Sequence, residues 1–297
     1  MTHPGSAGDA DPFVIHRNLL FTVAYEMLGS AADAEDVVQE TWLRWAAVDH
    51  AEIQEPRAYL VRIVTRQALN RLRTLARRRE DYVGDWLPEP LLTAPDVAED
   101  IELAESVSMA MLTVLETLGP TERAVFVLRE VFDMPYDEIA TAVGKTSAAV
   151  RQIALRARNH VASRRPRHDV DRGEQQAVVE RFLAAVRTGD LQALLDAMAP
   201  DVLLRADGGG IANAIRKPLS GSEPVARLLA NFAVFAPDGV LDLVWLNGAP
   251  AVLIRAKGEL TAVSFGIENG LVSNIYVVRN PHKLTGLDSE AQLSREG

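Results

Sequence analysis

Met134–Arg158 reads MPYDEIATAVGKTSAAVRQIALRAR. Tyr136 to Ala142 suits a first helix with Ile139 and Val143 on its buried side. Ala140 is small where two helices approach closely. Gly144 supplies the turn, and Thr146 is a natural N-cap for a second helix. That second helix buries Val150, Ile153 and either Ala154 or Leu155. It carries no acid and exposes Ser147, Arg151, Gln152, Arg156 and Arg158. An acid-free N-terminus for base edges and arginines for phosphate are the layout of a recognition helix in a helix-turn-helix. An αα-hairpin with a solvated basic face has the same spacing, so the surrounding charge pattern must discriminate.

The formal net charge of −10 argues against nucleic acid only until its distribution is read. Arg57, Arg62, Arg66, Arg71, Arg73, Arg77, Arg78 and Arg79 form one run without an acid. Arg151, Arg156, Arg158, Arg164, Arg165 and Arg167 form another. Glu80 to Glu122 between them contains only acids. Screening cuts charge interactions off within about 8–10 Å, so local blocks outweigh the sum. Two basic blocks flanking an acidic one suggest two DNA contacts joined by a tether.

The 297 residues suffice for two or three domains. Cysteine is absent, which excludes disulfides, zinc–cysteine sites and thiol nucleophiles. MTHPGSAGDADP lacks an apolar h-region, and no apolar run approaches the roughly 20 residues that span a bilayer. The expectation is a soluble cytoplasmic protein with no membrane partner, no metal and no cofactor.

Periodicity places helices from Asp11 to Leu28, Ala34 to Ala47 and Pro56 onward, with Gly29 ending the first and Ser30 or Asp33 starting the second. Tyr82 to Asp100 has prolines, acids and no period, and reads as a linker containing WLPEP (Trp86–Pro90). Ile101 to Leu118 reads as one helix, and Pro120 begins the next. Beyond Gln175 the pattern changes to helices, then strand-like runs Val202–Ala206, Leu241–Leu246, Ala251–Ala256, Leu260–Ile267 and Val272–Val278. Asn247-Gly248 and Asn269-Gly270 are hairpin signals between them. An antiparallel meander after a set of helices is an α+β domain.

Three segments in order, ADAEDVVQETWLRW, PRAYLVRIVTRQALNRLR and LGPTERAVFVLREVFDMPYDEIATAVGKTSAAVRQIALRARN, resemble an extracytoplasmic-function sigma factor of the sigma-70 family over about residues 11–165. The last third resembles a SnoaL-like domain of the nuclear transport factor 2-like superfamily, and the combination resembles the SigJ-like subgroup. WLPEP, DGGG (Asp207–Gly210) and NPHKL (Asn280–Leu284) carry that likeness, with His282 where the subgroup has Asp. The resemblance implies a multidomain chain: two all-α sigma domains and an α+β cone with a curved antiparallel sheet. The boundaries it suggests are a disordered tail 1–10, region two at 11–80, an acidic linker at 81–105, region four at 106–165, a linker at 166–173, the SnoaL-like domain at 174–285 and a flexible tail 286–297.

It also implies partners and roles. RNA polymerase core, through its clamp helices and flap, and promoter DNA are the expected partners. Asp33, Asp36, Val38, Gln39, Glu40 and Trp42 would face the polymerase clamp. Arg62, Arg66, Asn70, Arg71 and Arg73 would meet the −10 element. Thr146, Ser147, Ala148 and Ala149 would lie nearest the base edges of the −35 element, with Arg151, Gln152, Arg156 and Arg158 on bases or phosphates. Trp86, Leu87, Pro88, Asp207, Gly208, Gly209, Gly210, Asn280, Pro281, His282, Lys283 and Leu284 would be regulatory. A SnoaL-like cone encloses a pocket whose ligand, if any, is unknown, and enzymes of this shape use an aspartate there, which makes Asp207 the candidate acid. Two further readings stay open: a cyclase or isomerase fused to a DNA-binding module, and a ligand-responsive repressor. The preferred one is a non-enzymatic sigma subunit with a built-in regulator.

Overall fold

The computed structural model describes residues 11–79, 82–95, 100–164, 172–236 and 238–295; the Arg165–Arg167 end of the second basic run and the linker at 166–171 lie outside them. Helix α1 (Pro12–Leu28) starts at Asp11, whose carboxylate accepts the Phe13 N–H at 2.8 Å and the Trp45 indole N–H at 2.9 Å. Gly29 ends it in the left-handed region, at φ 66°. Ser30 caps α2 (Ala31–Trp45), and Pro56 opens α3 (Pro56–Arg79), where a missing N–H is harmless. The apolar stripes of the three helices meet around Val23, Met27, Val37, Trp45, Leu60 and Val64.

The expected helix from Ile101 to Leu118 is two helices, α4 (Ile101–Val107) and α5 (Met109–Leu115). Ser108 breaks it: its backbone leaves the helical region, and its hydroxyl accepts the Met111 N–H at 3.1 Å to cap α5. Then come α6 (Pro120–Phe126), a π turn over Val127–Val131, α7 (Tyr136–Val143) and α8 (Ser147–Ala162). Gly144 (φ 69°) and Thr146 cap the two helices of the helix-turn-helix as their types require. Ala154 is the core residue of α8, and Leu155 is exposed.

All eight helices share one hydrophobic core. The acidic composition of 81–105 suggested a solvated tether holding two modules apart, but α3 packs directly on α7 and α6. The few apolar residues of the linker override its charges. Leu87 and Leu91 are buried, and each such side chain contributes about 1.5–3 kcal/mol.

The last third forms the expected α+β cone: α9 (Arg172–Thr188), α10 (Leu191–Ala197), β1 (Met198–Asp207), β2 (Leu219–Ser220), α11 (Ser222–Ala230), α12 (Phe232–Phe235), β3 (Val240–Leu246), β4 (Ala249–Ala256), β5 (Glu259–Glu268) and β6 (Leu271–Val278). Strand order is β2-β1-β6-β5-β4-β3. The sheet is mixed rather than antiparallel, because β6 runs parallel to β1. The α11–α12 crossover carries the chain to the far edge, and the meander back brings β6 alongside β1 in the same direction. Strand alternation gives the sheet two apolar faces. Val252, Val263, Phe265 and Ile275 face the cone's helices. Ala251, Leu253, Ala262, Tyr276 and Val278 face outward and pack on Leu87 of the linker, Met109 and Ala110 of α5, and Leu284 and Leu287 after β6. The outer face is therefore the joint between the cone and the helical part of the chain.

The linker runs along that joint as an added strand. Leu92 bridges Leu246, the Thr93 N–H donates to the Trp245 carbonyl at 3.0 Å, and Leu91 exchanges two bonds with Asn247. The segment after residue 285, expected to be a flexible tail, packs as far as Arg295. The Ala291 N–H donates to the Leu92 carbonyl at 2.8 Å, the Ser294 N–H to Thr22 Oγ1 at 3.0 Å, and Arg295 Nε to the Val131 carbonyl at 3.0 Å. Ala291 and Leu293 lie on the helical core, and this apolar contact outweighs the polar composition of the segment.

Asn247 is where all parts meet. It sits at φ 55° in the β3–β4 turn and is 1 % exposed. Its amide donates to Tyr25 Oη on α1 at 2.7 Å and to the Val107 carbonyl on α4 at 2.9 Å, while its Oδ1 accepts from Leu91 in the linker at 3.0 Å. Asn247→Ala strands three buried polar groups in a left-handed turn, and the expected loss is about 2–4 kcal/mol. Asn247→Gly keeps the turn but still loses the bonds. Urea unfolding midpoints should order native, then Gly, then Ala; a Gly variant as stable as the native chain would refute the role of the amide.

Candidate functional site

The site is the point where the linker is clamped to the cone. β1 delivers Asp207 at its last residue, and the turn after β6 delivers Asn280 and Lys283. The Asp207 main-chain carbonyl accepts the N–H groups of Arg279 and Asn280 at 2.7 and 3.0 Å, which fixes the two segments together. Its carboxylate accepts four bonds: from Tyr82 Oη at 2.6 Å, Gly209 N at 3.0 Å, Leu87 N at 2.9 Å and Lys283 Nζ at 2.7 Å. Lys283 also donates to the Leu87 carbonyl at 2.5 Å and lies 3.1 Å from the centre of the Trp86 ring. Asn280 Nδ2 donates to Tyr82 Oη at 2.8 Å. Asp207, Leu87, Lys283 and Asn280 are all buried. Both polar groups of Leu87 are thus held by one ion pair, with two aromatic rings closing over the ammonium.

The electrostatics suit a clamp. Burial raises the Tyr82 hydroxyl, and the Asp207 carboxylate beside it raises it further, so Tyr82 remains a donor. Asp85 is raised chiefly by burial, with Asp207 adding to the shift and Arg205 opposing it. The glycines after Asp207 are steric requirements. A Cβ at Gly208 would collide with the Ala212 carbonyl, and one at Gly209, which sits at φ 61°, would collide with the Asn280 amide. Two residues beyond Leu87, Glu89 clamps the other side of the linker. Its carboxylate accepts from Ser30 Oγ, Ala31 N and Ala32 N at 2.9, 2.6 and 3.2 Å, at the N-terminus of α2 where an anion is favoured. WLPEP therefore binds the cone through Leu87 and region two through Glu89.

The regulatory residues expected from the sequence divide accordingly. Trp86, Leu87, Asp207, Gly208, Gly209, Asn280 and Lys283 converge, and Pro88 and Leu284 are buried beside them. Gly210 is an exposed turn residue whose added Cβ would meet Val83, and Pro281 and His282 are exposed, so Asn280, Lys283 and Leu284 are the residues of NPHKL that pack into the joint. Asp207 does not line the cavity of the cone, which opens on the other face of the sheet beside Ala206. Its expected position as a pocket acid is thereby corrected. Tyr82, Glu89 and Asn247 were missed. Asn247 signalled only a hairpin, and nothing local in a sequence shows that a turn will be buried under another domain.

The residues expected to meet DNA are already engaged. Arg66 donates to the Thr141 and Ala142 carbonyls at the end of α7, at 2.9 and 3.4 Å. Arg71 pairs with Asp33 at 2.6 Å and Asp36 at 3.1 Å, Arg62 lies over the Tyr59 ring, and Arg73 contacts Asn70. On α8, Ser147 bonds Asp137, Arg158 pairs with Glu130, Arg156 approaches Glu122 at 4.0 Å, and Arg151 lies over Tyr136. Thr146 accepts from Ala149 N, while Ala148 and Gln152 are exposed. On α2, Asp36, Gln39, Glu40 and Trp42 are exposed, but Val38 is buried in the core and cannot face a partner here. Leu43, 57 % exposed beside Trp42, takes its place on that surface.

One buried carboxyl sits inside the joint between regions two and four. Glu26 accepts from Ser106 Oγ at 2.8 Å, and burial pushes it up to about 8 against the opposing charges of Arg295 and Arg123. Arg123 donates to the Glu26 main-chain carbonyl at 3.0 Å and to Glu116 at 2.6 Å. Among the described residues no helix is long and apolar enough to cross a membrane, and no group of three or more His, Asp or Glu is placed to hold a metal.

Comparison with known proteins is consistent along the whole chain. The family model for Sigma-70 region 2 matches residues 13–78, and that for Sigma-70, region 4 matches residues 108–161. The ECF RNA polymerase sigma factor SigJ of Mycobacterium tuberculosis is 36% identical, over 94% of this chain and 94% of its own length. The probable ECF RNA polymerase sigma factor SigI of the same organism is 32% identical over 93% and 94%. The crystal structure of Mycobacterium tuberculosis extracytoplasmic function sigma factor SigJ covers 92% of this chain and 96% of its own, at 34% identity and a TM-score of 0.77.

Two expectations follow from this geometry. Asp207→Asn leaves the Lys283 ammonium buried without a counter-charge, which costs about 3–5 kcal/mol. Pairing it with Lys283→Met should restore part of that loss, and protease cleavage within residues 82–95 should track the same order; a double variant as damaged as the single one contradicts the ion-pair account. The Glu26 carboxyl binds its proton more tightly folded than unfolded, so the packed form weakens as pH rises from about 4.5, the unfolded value, to about 8. The slope should reach ~1.4 kcal/mol per pH unit at most. Glu26→Gln should flatten that part of a stability–pH curve, and an unchanged slope would remove Glu26 as its source.

Proposed function

We infer the working cycle from one premise: the chain belongs to the extracytoplasmic-function sigma factors of the sigma-70 family. Its function is that of a sigma subunit, which joins RNA polymerase core and directs it to promoter DNA. Within that function the C-terminal cone acts as a brace that keeps regions two and four packed until polymerase and promoter separate them. It acts without catalysis of its own, and acting with polymerase places the protein in the cytoplasm.

The observation that carries this reading is the packing of α3 on α7, with Arg66 spent on the α7 carbonyls. The −10 and −35 elements lie about 25 base pairs apart, or roughly 85 Å at ~3.4 Å per step. Packed helices lie about 8–10 Å apart. The two DNA-reading surfaces cannot reach both elements in this arrangement. Residues 80–100, fully extended, reach roughly 70 Å, which together with the domains themselves covers the distance. Extension requires release of Leu87, Glu89 and Leu91 from the cone and α2. In the separated state Arg62, Arg66, Asn70, Arg71 and Arg73 would take the −10 element. The α8 set, Thr146, Ser147, Ala148, Ala149, Arg151, Gln152, Arg156 and Arg158, would take the −35 element. The exposed face of α2, with Asp36, Gln39, Glu40 and Trp42, with Asp33 once Arg71 releases it, and with Leu43 in place of Val38, would meet the polymerase clamp. The flap would meet region four.

Run-off transcription with purified core polymerase tests the brace. Asp207→Asn and a chain ending after Arg172 should both change output from a responsive promoter, with the point variant raising it at limiting core. Equal output from all three proteins would leave the cone without a regulatory role. Failure of the native chain to bind core would instead refute the sigma assignment.

A further inference from the structure

Beyond the cone, residues 291–295 (AQLSR) lie across both sigma regions as a strap. Its consecutive residues hold different modules. The Ser294 N–H donates to Thr22 Oγ1 at 3.0 Å, and Thr22 belongs to α1, inside the region 2 match. Arg295 Nε donates to the Val131 carbonyl at 3.0 Å, at the end of the π turn and inside the region 4 match. The Ala291 N–H is bonded to the Leu92 carbonyl of the linker, and Ala291 and Leu293 pack on the helical core. Adjacent α-carbons are about 3.8 Å apart. Regions two and four therefore cannot move far apart while both bonds stand.

Both anchor points suit such a partner. Thr22 is buried in α1; its hydroxyl donates to the Asn18 carbonyl at 2.8 Å, and its oxygen accepts the Ser294 N–H. The Val131 carbonyl stands in the last turn of its helix, where carbonyls lack an intrahelical donor and a cation is favoured. Arg295 also pairs with Glu102 and lies 3.7 Å from Asp100, both exposed at the start of α4. Its charge reaches the buried Glu26 of α1 as well, opposing the upward shift that burial imposes there. The Asp207 clamp has a different target. Its bonds go to the linker, at Tyr82 and Leu87, and to groups within the cone. The strap is also the weaker of the two. A cavity of about 630 Å³ lies beside it, lined by Arg57 and Phe132 on the other side, so its polar contacts are close to water. Ion pairs in such a place are worth little and are screened by salt.

We propose that residues 291–295 are an autoinhibitory strap, a second lock that ties region two directly to region four and opens independently of the Asp207 clamp. The proposal rests on the reading that the packed arrangement is the resting form, and it adds a lock that lies outside the cone. Separation of the two regions then takes two releases: the buried ion pair must let go of Leu87, and the strap must let go of Thr22 or Val131. The second release responds to ionic strength, and the first, being out of water, does not.

The test uses the full chain, which has no cysteine of its own. Ala142→Cys places one thiol on α7, buried where α3 packs, so its reaction with a chromogenic aromatic disulfide reports opening of the joint. In that background Arg295→Met should speed labelling about tenfold, as loss of a charged hydrogen bond implies. Thr22→Val, which keeps the shape of the buried side chain, should act in the same direction and serves if the arginine variant fails to fold. Hydrogen exchange of the Leu87 N–H, which is bonded to Asp207, should stay slow in both. Added salt should speed labelling of the parent more than that of Arg295→Met. Unchanged labelling in both variants overturns the strap. Faster Leu87 exchange in step with labelling means one lock rather than two and overturns its independence. Affinity for core polymerase should rise with labelling; faster labelling at constant affinity supports the strap but refutes the packed arrangement as the resting form.

Discussion

A single ammonium group, that of Lys283, holds the architecture together. It is out of water, between the Asp207 carboxylate, the Leu87 carbonyl and the Trp86 ring. Such a group has few arrangements in which its desolvation is offset, and each requires all of its partners at once. The clamp therefore behaves as one unit. If Leu87 leaves, Asp207 loses a donor and Lys283 an acceptor; if Asp207 moves, Tyr82 and Asn280 lose their common partner. Apolar contacts on the same face, such as Leu87 against Tyr276 and Leu284, contribute more of the attraction but do not demand a fixed register. The buried pair sets the register, and the hydrophobic surface supplies the binding.

The same linker carries two opposite attachments within three residues. Leu87 is gripped by the cone, while Glu89 caps α2 and is itself bonded through its N–H to the Gly29 carbonyl at 2.9 Å. Pro88 lies between them and Pro90 follows, so the segment is stiff and has few unsatisfied donors. A stiff segment transmits a displacement of one attachment to the other instead of absorbing it. Movement of α2, the helix with the exposed Trp42 and Leu43, is thereby linked mechanically to the Asp207 clamp.

Much of this was legible in the sequence where the signals are local. The helix-turn-helix, with Gly144 as its left-handed cap and Thr146 as its N-cap, forms as its residue types require. The hairpins at Asn247-Gly248 and Asn269-Gly270 form where Asn-Gly pairs lower the cost of positive φ. Non-local information was not legible. The acids of residues 81–105 suggested a tether and Trp86 and Leu87 suggested docking, but only the structure shows that Leu87 enters the outer face of the cone's sheet and Leu91 the helical core. Val38, which the family resemblance set against the polymerase clamp, turns into the core, because α2 starts at Ala31 and its buried stripe runs through Val37, Val38, Thr41 and Trp45. Lys283 was expected to be regulatory as part of NPHKL, but nothing local in the sequence shows that its ammonium is buried against Asp207 and the Leu87 carbonyl.

The two faces of one sheet explain why a cone of this kind suits a sigma factor. In a strand, neighbouring residues point to opposite sides, so any strand that lines a cavity also presents an outer surface one residue away. On β1 and at the end of β6 that outer surface is the clamp. A packed sheet does not deform smoothly: a shift of a few tenths of an ångström at Ala206 or Arg279 must be taken up by its hydrogen-bonded neighbours, and Asp207 is bonded to both Arg279 and Asn280 through its own carbonyl. The buried ion pair on the far side tolerates such a shift poorly, because its bonds are directional and its environment excludes water. A fold with this connectivity converts events on one face into the integrity of the other, and it does so without any residue shared between them.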